Sequence, residues 1–475
     1  MTQRVAILGG GISGLGVAYG LRKAVSSTTK LDLTVIESRP DLGGTIGTEL
    51  TNGFCVERGP DSFATLKPRA LEMARDLGLG AQVVGVRSRR FYGVRGGALV
   101  PAPEALVLVA PSRLGPFFRT RLVSVPGKLR ASLDLVLPAR KAGGDESLAS
   151  FVRRRLGREL LYRLADPLVA GIHAGDPERL SMESLLPQFL TYERTYGSVI
   201  RGVRASAHSR PSVPSSIPRP FASFRNGMAE LPKALVAQTA GVEWRMGVRA
   251  LTVERSREGR FQVPLSEGGA WAGDAVVVTT PAPAAGELVR TLAPRLANAL
   301  GAIHYSSSAV VSLGFRDDRY RAPEGSGVVV PRREGLRMSA CTFSSVKFEG
   351  RAPPGHALVR AFYGGARDES ALDLSDEALE ELAERELGGL IGLHGPMEIV
   401  RVHRWPRAHP QYEVGHRDRV AAVEAACAEV PGFFLAGSGY RGIGTSDCLE
   451  DADRAVRGVL ATLFGIPPLT PGAAA

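Results

Sequence analysis

Cysteine is scarce: four in 475 residues, Cys55, Cys341, Cys427 and Cys448, with no C-x-x-C pair. That excludes a disulfide framework or a thiolate metal cluster and predicts small buried hydrophobes in a reduced compartment. The eight histidines are dispersed, without H-x-H or H-E-x-x-H, so no metal site is predicted. Long apolar runs are missing too. A spanning helix needs roughly 18 uninterrupted apolar residues. The best stretch, LVPAPEALVLVAP at 99–111, is broken by prolines and Glu104. The first apolar strand begins almost at Met1, which leaves no room for a secretory signal and predicts a cytoplasmic chain. Acids are outnumbered, 48 against 59 Lys and Arg, for a net charge of +11. Such a balance suits a polycarboxylate substrate, an anionic membrane surface or nucleic acid. No nucleic-acid fold signature accompanies the charge, so that partner is not predicted.

What remains is ordinary globular material, 44% hydrophobic and 23% charged, long enough for two or three domains. Its densest information lies in the first forty residues. RVAILG is a short apolar stretch of the kind a buried parallel strand needs, and Leu15, Val17, Ala18 and Leu21 recur on one face of a helix. Between them runs Gly9, Gly10, Gly11, Ile12, Ser13, Gly14. Gly9 permits a tight turn, Gly11 lets backbone approach a pyrophosphate, and Gly14 lets helix pack on strand. A second strand, LDLTVIE, ends at Glu37, 23 residues after Gly14 and followed by Ser38. A carboxylate there accepts both hydroxyls of an adenosine ribose and repels a 2′-phosphate. The order of strand, turn, helix, strand and acid predicts an unphosphorylated adenine dinucleotide, FAD or NAD.

A second glycine pair, Gly43 and Gly44, followed by Thr45, comes soon after the acid. This loop resembles the extended signature of glutathione-reductase-type FAD proteins, particularly their amine oxidase branch, and so implies FAD. The later stretch GFCVERGPDSF contains Gly59, Pro60, Asp61 and Ser62, which on turn chemistry alone is a type I or II turn. After a flavin signature, ERGPDSF resembles the protoporphyrinogen and coproporphyrinogen oxidases of haem synthesis. The resemblance continues through the A-G-D-P stretch at Ala174–Pro177, through RWPRAHPQYEVGH, and into the glycine-rich turn before TSDCLEDADRAV.

That resemblance implies an α/β fold. It consists of a Rossmann-like FAD-binding domain of the glutathione-reductase and amine-oxidase type, a mixed-sheet substrate domain and a helical insertion. Residues 1–82, 225–283 and 410–465 would build the FAD-binding unit and 83–205 the insertion. Residues 206–224 and 284–409 would build the substrate domain, and 466–475 a tail. The segment 203–220 is Ser/Pro-rich and reads as a loop. Within the insertion, SLASFVRRRLGRELLYRLADPLVAGI places apolar and basic residues at helical spacing, with Asp145 or Ser147 as cap. Such a helix is either a solvated face or a peripheral contact with anionic lipid.

The resemblance also assigns roles. Besides the glycine turns and Glu37, FAD would be touched by Val248 through its backbone, by Trp405, and by Ile443, Gly444 and Thr445. The helix starting near Gly444 can stabilise negative charge gathering on a reduced flavin. Trp405 is otherwise a plain core tryptophan. A tetrapyrrole substrate would meet Ala174 and Gly175, the aliphatic Val329 and the aromatic Phe348. Arg90 would pair with a propionate, a task that suits an arginine fork, and Lys67 would be a basic residue of the substrate pocket. The implied reaction is a six-electron oxidation of a porphyrinogen in three hydride transfers to FAD, with dioxygen as final acceptor and hydrogen peroxide released. It requires no Ser-His-Asp set or carboxylate dyad, because the flavin carries the chemistry, and no catalytic side chain is predicted. ERGPDSF, RMSACTF, GGARDES and HPQYEVGH resemble bacterial coproporphyrinogen-oxidising enzymes more than plant or animal protoporphyrinogen oxidases. Two other readings share the first forty residues: an amine oxidase or carotenoid desaturase, and a non-catalytic escort protein of the same fold. Whether the chain forms a homodimer stays open.

Overall fold

The computed structural model describes residues 2–25, 30–104, 106–140, 143–208, 220–321 and 323–466. A five-stranded parallel sheet organises them, in the order Val242–Met246, Leu31–Glu37, Gln3–Leu8, Ala275–Val278, Phe433–Leu435. Its three central strands carry buried apolar residues on both faces, as strands covered from both sides must. Val5 and Ile7 pack with Val17, Ala18 and Leu21 of the Ile12–Ala24 helix and with Val456 and Val459 of the Thr445–Phe464 helix. Ala6 and Leu8 point the other way, toward Val276, Val278, Leu288 and Val423. Gly16 and Gly20 let the two helices close together: a Cβ on Gly20 would lie 2.9 Å from Val456.

The second layer is a seven-stranded mixed sheet, in the order Ile399–Pro410, Tyr305–Arg316, His356–Gly364, Ala340–Phe343, Gly327–Val329, Tyr92–Arg95, Ala98–Pro101. Alternation divides its faces. Ala309, Val311, Leu313 and Phe315 pack with Leu379, Leu382, Ala383 and Leu387 of the Asp376–Ile391 helix. Ser375 caps that helix by accepting from the Ala378 N–H at 3.2 Å. The opposite face, with Ser308, Val310 and Ser312, is left to other partners. The His356–Gly364 strand ends where Gly364 and Gly365 take φ of +85° and +83° and turn the chain.

Three expectations are corrected. The insertion is not helical from residue 83. Tyr92–Arg95 and Ala98–Pro101 are strands of the seven-stranded sheet, and the first helix of this region is Leu114–Arg119. The basic helix is not continuous either. It runs Leu148–Arg155, capped by Ser147 Oγ accepting from the Ser150 N–H at 3.1 Å, and breaks at Gly157 with φ +92°. Arg154 and Arg155 face inward, while Arg153 pairs with Glu178 nearer the surface. Arg155 is 1% exposed and pairs with Asp134 at 2.5 Å, while Arg154 reaches Glu193 at 2.6 Å and Glu146 at 2.7 Å. Finally, Phe221–Phe224 pairs with Phe63–Ala64 and Val83–Gly85, and Ala222 and Phe224 pack beside Leu231 and Leu235 on the dinucleotide side. Within the predicted loop at 203–220, the helix Val199–His208 continues to residue 208, and 209–219 lie outside the described residues, as does the tail from 467.

Candidate functional site

The turn from Gly9 to Gly14 joins the Gln3–Leu8 strand to the Ile12–Ala24 helix at the carboxyl edge of the parallel sheet. A Cβ on Gly14 would sit 2.0 Å from the Gly9 carbonyl oxygen, and one on Gly44 3.0 Å from Gly11 Cα. Gly43 N–H donates to the Gly10 carbonyl at 2.8 Å, so the two glycine loops lie backbone to backbone. The helix beginning at Ile12, with Ser13 buried behind it, has no side-chain cap and no acid in its first turn. Its leading N–H groups are therefore available to an anion. The Glu37 carboxylate faces this turn. It accepts from Gly10 N–H at 2.7 Å, Arg39 N–H at 2.8 Å and Ser38 Oγ at 3.3 Å. Val248 is buried, with its N–H donated to the Glu37 carbonyl at 3.0 Å.

A second loop, Arg58 to Ser62, ties this unit to the seven-stranded sheet. A Cβ on Gly59 would lie 2.1 Å from the Thr45 carbonyl oxygen. Trp405 Nε1 donates to the Arg58 carbonyl at 2.9 Å, and Arg360 Nη2 to that of Gly59, on the N-terminal side of Pro60, at 2.6 Å. Asp61 lies 2.8 Å from Lys347 Nζ and 3.8 Å from Arg360 Nη1, and accepts from Ser62 Oγ at 2.7 Å. Burial alone would raise the Asp61 carboxyl, but the two cations outweigh it and hold the group well below the usual carboxylate range. At the far end of the chain, Ile443 and Gly444 lead into the Thr445–Phe464 helix. There Gly442 N–H donates to Tyr412 Oη at 2.8 Å and Gly444 N–H to Asp447 at 3.0 Å.

Ala174, at φ +47°, ends the Asp166–His173 helix, and its carbonyl accepts from Ser306 Oγ at 2.9 Å and Ala366 N–H at 2.8 Å. Gly175 is required beside it, since a Cβ would meet Leu180 at 2.5 Å and Gln411 at 2.8 Å. Val329 is half-buried. Strand register puts it on one face with Ala340, Phe362, Val310 and His403, the face that Trp405 and Ser308 also share. Gly171 covers that face from above: a Cβ there would lie 3.3 Å from Ala340 Cβ. Three predicted substrate residues are engaged by neighbouring protein groups. Phe348 is 1% exposed, with Lys347 Nζ 5.2 Å and Arg351 Cζ 5.3 Å from its ring centre, so it presents no open stacking surface. Lys67 forms an ion pair with Asp447, and Arg90 pairs at the surface with Glu324 at 2.7 Å.

Two further residues carry no motif that would mark them in the sequence. Arg39 donates to the Gly44 carbonyl at 3.2 Å and lies 5.5 Å from the Trp405 ring centre. Thr280, at the carboxyl end of Ala275–Val278, has a buried hydroxyl without a partner. Among the described residues, no cluster of three His, Cys, Asp or Glu is arranged to hold a metal ion. No helix among them is long and apolar enough to cross a membrane.

An uncapped helix start, glycines that exclude every Cβ, a carboxylate facing them and an orphaned hydroxyl at the sheet edge fit a dinucleotide. Together with the second sheet they define a flavoprotein oxidoreductase, with FAD as cofactor. The chain belongs to the family of flavin containing amine oxidoreductases, whose model matches residues 12–460. It is 34% identical to the coproporphyrinogen III oxidase of Bacillus subtilis over 97% of this chain and 99% of that one. It is 32% identical to the chloroplastic protoporphyrinogen oxidase of Nicotiana tabacum, covering 94% of this chain and 83% of that protein. A crystal structure from Exiguobacterium, provisionally assigned as a protoporphyrinogen oxidase, superposes with a TM-score of 0.86 at 30% identity, over 97% and 99% of the two chains.

Proposed function

We propose that this chain oxidises a porphyrinogen to its porphyrin in haem biosynthesis, with coproporphyrinogen III as the preferred substrate. The observation that carries the reading is end-to-end similarity to a coproporphyrinogen III oxidase, 34% over 97% of the chain. Bound FAD supplies the two-electron acceptor for each of three oxidations, and dioxygen takes the electrons on as hydrogen peroxide. The glycine turns and Glu37 hold the dinucleotide, and the Arg58–Ser62 loop fixes it against the sheet. The macrocycle lies on the face carrying Val329, Val310 and Phe362, under the Ala174–Gly175 turn. Its propionates displace the Glu324 and Asp447 carboxylates from Arg90 and Lys67. A four-propionate substrate gains more from such cations than a two-propionate one. The test is kcat/KM with both substrates. Coproporphyrinogen III turned over faster supports the reading, and much faster protoporphyrinogen IX oxidation overturns the preference.

The same reading includes peripheral contact with an anionic membrane, through a surface other than the basic helix. Phe118, Val125, Leu129, Leu133 and Val136 are exposed by 44, 66, 59, 47 and 74%. Exposed Arg113, Arg119 and Arg121 flank them, and the only acid from residue 105 to 144 is the buried Asp134. Apolar groups beside cations without competing anions favour an anionic lipid surface.

A further inference from the structure

Two histidines far apart in the sequence meet beside the proposed substrate face. His409 Nε2 lies 2.7 Å from Ser308 Oγ, and Ser308 stands directly opposite Trp405 across the sheet. The imidazole is thus on the side facing the Arg58–Ser62 loop. His173 ends the helix that covers this face and lies close enough to His409 for their charges to oppose each other. Gln411 fastens the pair to the Ala174 turn, donating to the His173 carbonyl at 3.1 Å and to Ser306 Oγ at 2.9 Å. Ser306 Oγ in turn donates to the Ala174 carbonyl at 2.9 Å. Burial lowers both imidazoles to about 4, with His409 adding to the effect on His173, so both are neutral at physiological pH.

Hydride transfer alone uses neither ring, yet the oxidation needs a base. When a bridging CH2 of the macrocycle loses hydride, its C–H electron pair leaves with the hydrogen and the adjoining pyrrole ring becomes a cation. The N–H of that cation is acidic. Breaking it returns the N–H electron pair to the ring, and the proton must go to a base. Over three rounds three bridges give hydride, two pyrroles give an N–H proton and the fourth bridge gives the last proton as its C–H pair joins the conjugated ring; one proton per round is recovered when dioxygen becomes hydrogen peroxide.

We propose that His409, oriented by Ser308, is the acceptor of that proton. The inference rests on the porphyrinogen reading, and the test separates the two. Anaerobic flavin reduction by coproporphyrinogen III is followed in single turnover for the wild type and for His409→Gln, whose amide retains a hydrogen bond to Ser308. The expected result is reduction slowed about 100-fold. FAD content and substrate dissociation constant should be unchanged, with partial rescue by added imidazole. His409→Asn replaces the glutamine variant if the latter does not retain FAD. Reduction within about twofold of the wild type, or a slow variant that imidazole leaves slow, overturns the role of His409. If no porphyrinogen reduces the wild type, the porphyrinogen reading itself fails.

Discussion

Gly14 is the residue on which the cofactor site is least forgiving, because the Gly9 carbonyl oxygen occupies the space of its Cβ at 2.0 Å. Gly14→Ala therefore forces strand and helix apart just where N–H groups meet the pyrophosphate. The variant should purify with FAD affinity reduced at least about tenfold, a change of about 1.4 kcal/mol. Absorbance of the bound flavin after gel filtration reads this directly, and full retention would contradict it. Asp61 gives a second prediction. Lys347→Met leaves a mostly buried carboxylate with Arg360 alone, at 3.8 Å. Unfolding should cost on the order of 3 kcal/mol less, and Asp61→Asn in the same chain should restore part of it. An unchanged urea midpoint in Lys347→Met would refute the pairing. The glycine turns and Glu37 were legible because their demands are set by backbone within forty residues. The partners of Lys67, Arg90 and Phe348 were not, because Asp447, Glu324 and Arg351 are brought to them only by the tertiary fold.

At the scale of elements, periodicity located the strands and helices but not what their polar faces meet. SLASFVRRR has the pattern of a surface helix, yet Arg154 and Arg155 face Glu146, Glu193 and Asp134, all distant or unremarkable in sequence. Asp134 is fully engaged, accepting also from Ser198 Oγ at 2.5 Å and Ile200 N–H at 2.9 Å. The lipid contact proposed above rests instead on the exposed apolar residues between Phe118 and Val136. Leu129→Ser with Leu133→Ser should abolish sedimentation with phosphatidylglycerol vesicles while leaving kcat unchanged. Sedimentation equal to that of the wild type would remove this surface from the account.

For the whole molecule, the first and last segments complete one parallel sheet, an arrangement that motif order in the sequence already implied. The division of residues 83–111 and 221–224 was not legible, because short strands carry little periodicity of their own and their sheet partners are remote. Burial gives the folded protein a distinct pH response. His173, His409 and His416 are lowered from 6.5 to about 4. Between those values the unfolded chain binds protons that the folded one does not, so stability falls as pH drops through the window. Urea midpoints should decline from pH 6.5 to 4, and His416→Gln should flatten the decline; a midpoint constant over that range would contradict the burial of these rings. FAD beside a tetrapyrrole face makes the anaerobic mixing of the purified yellow protein with coproporphyrinogen III the decisive measurement. The flavin should bleach promptly, and porphyrin fluorescence and the yellow colour should follow when air is admitted. A flavin that stays oxidised with every porphyrinogen offered would contradict it.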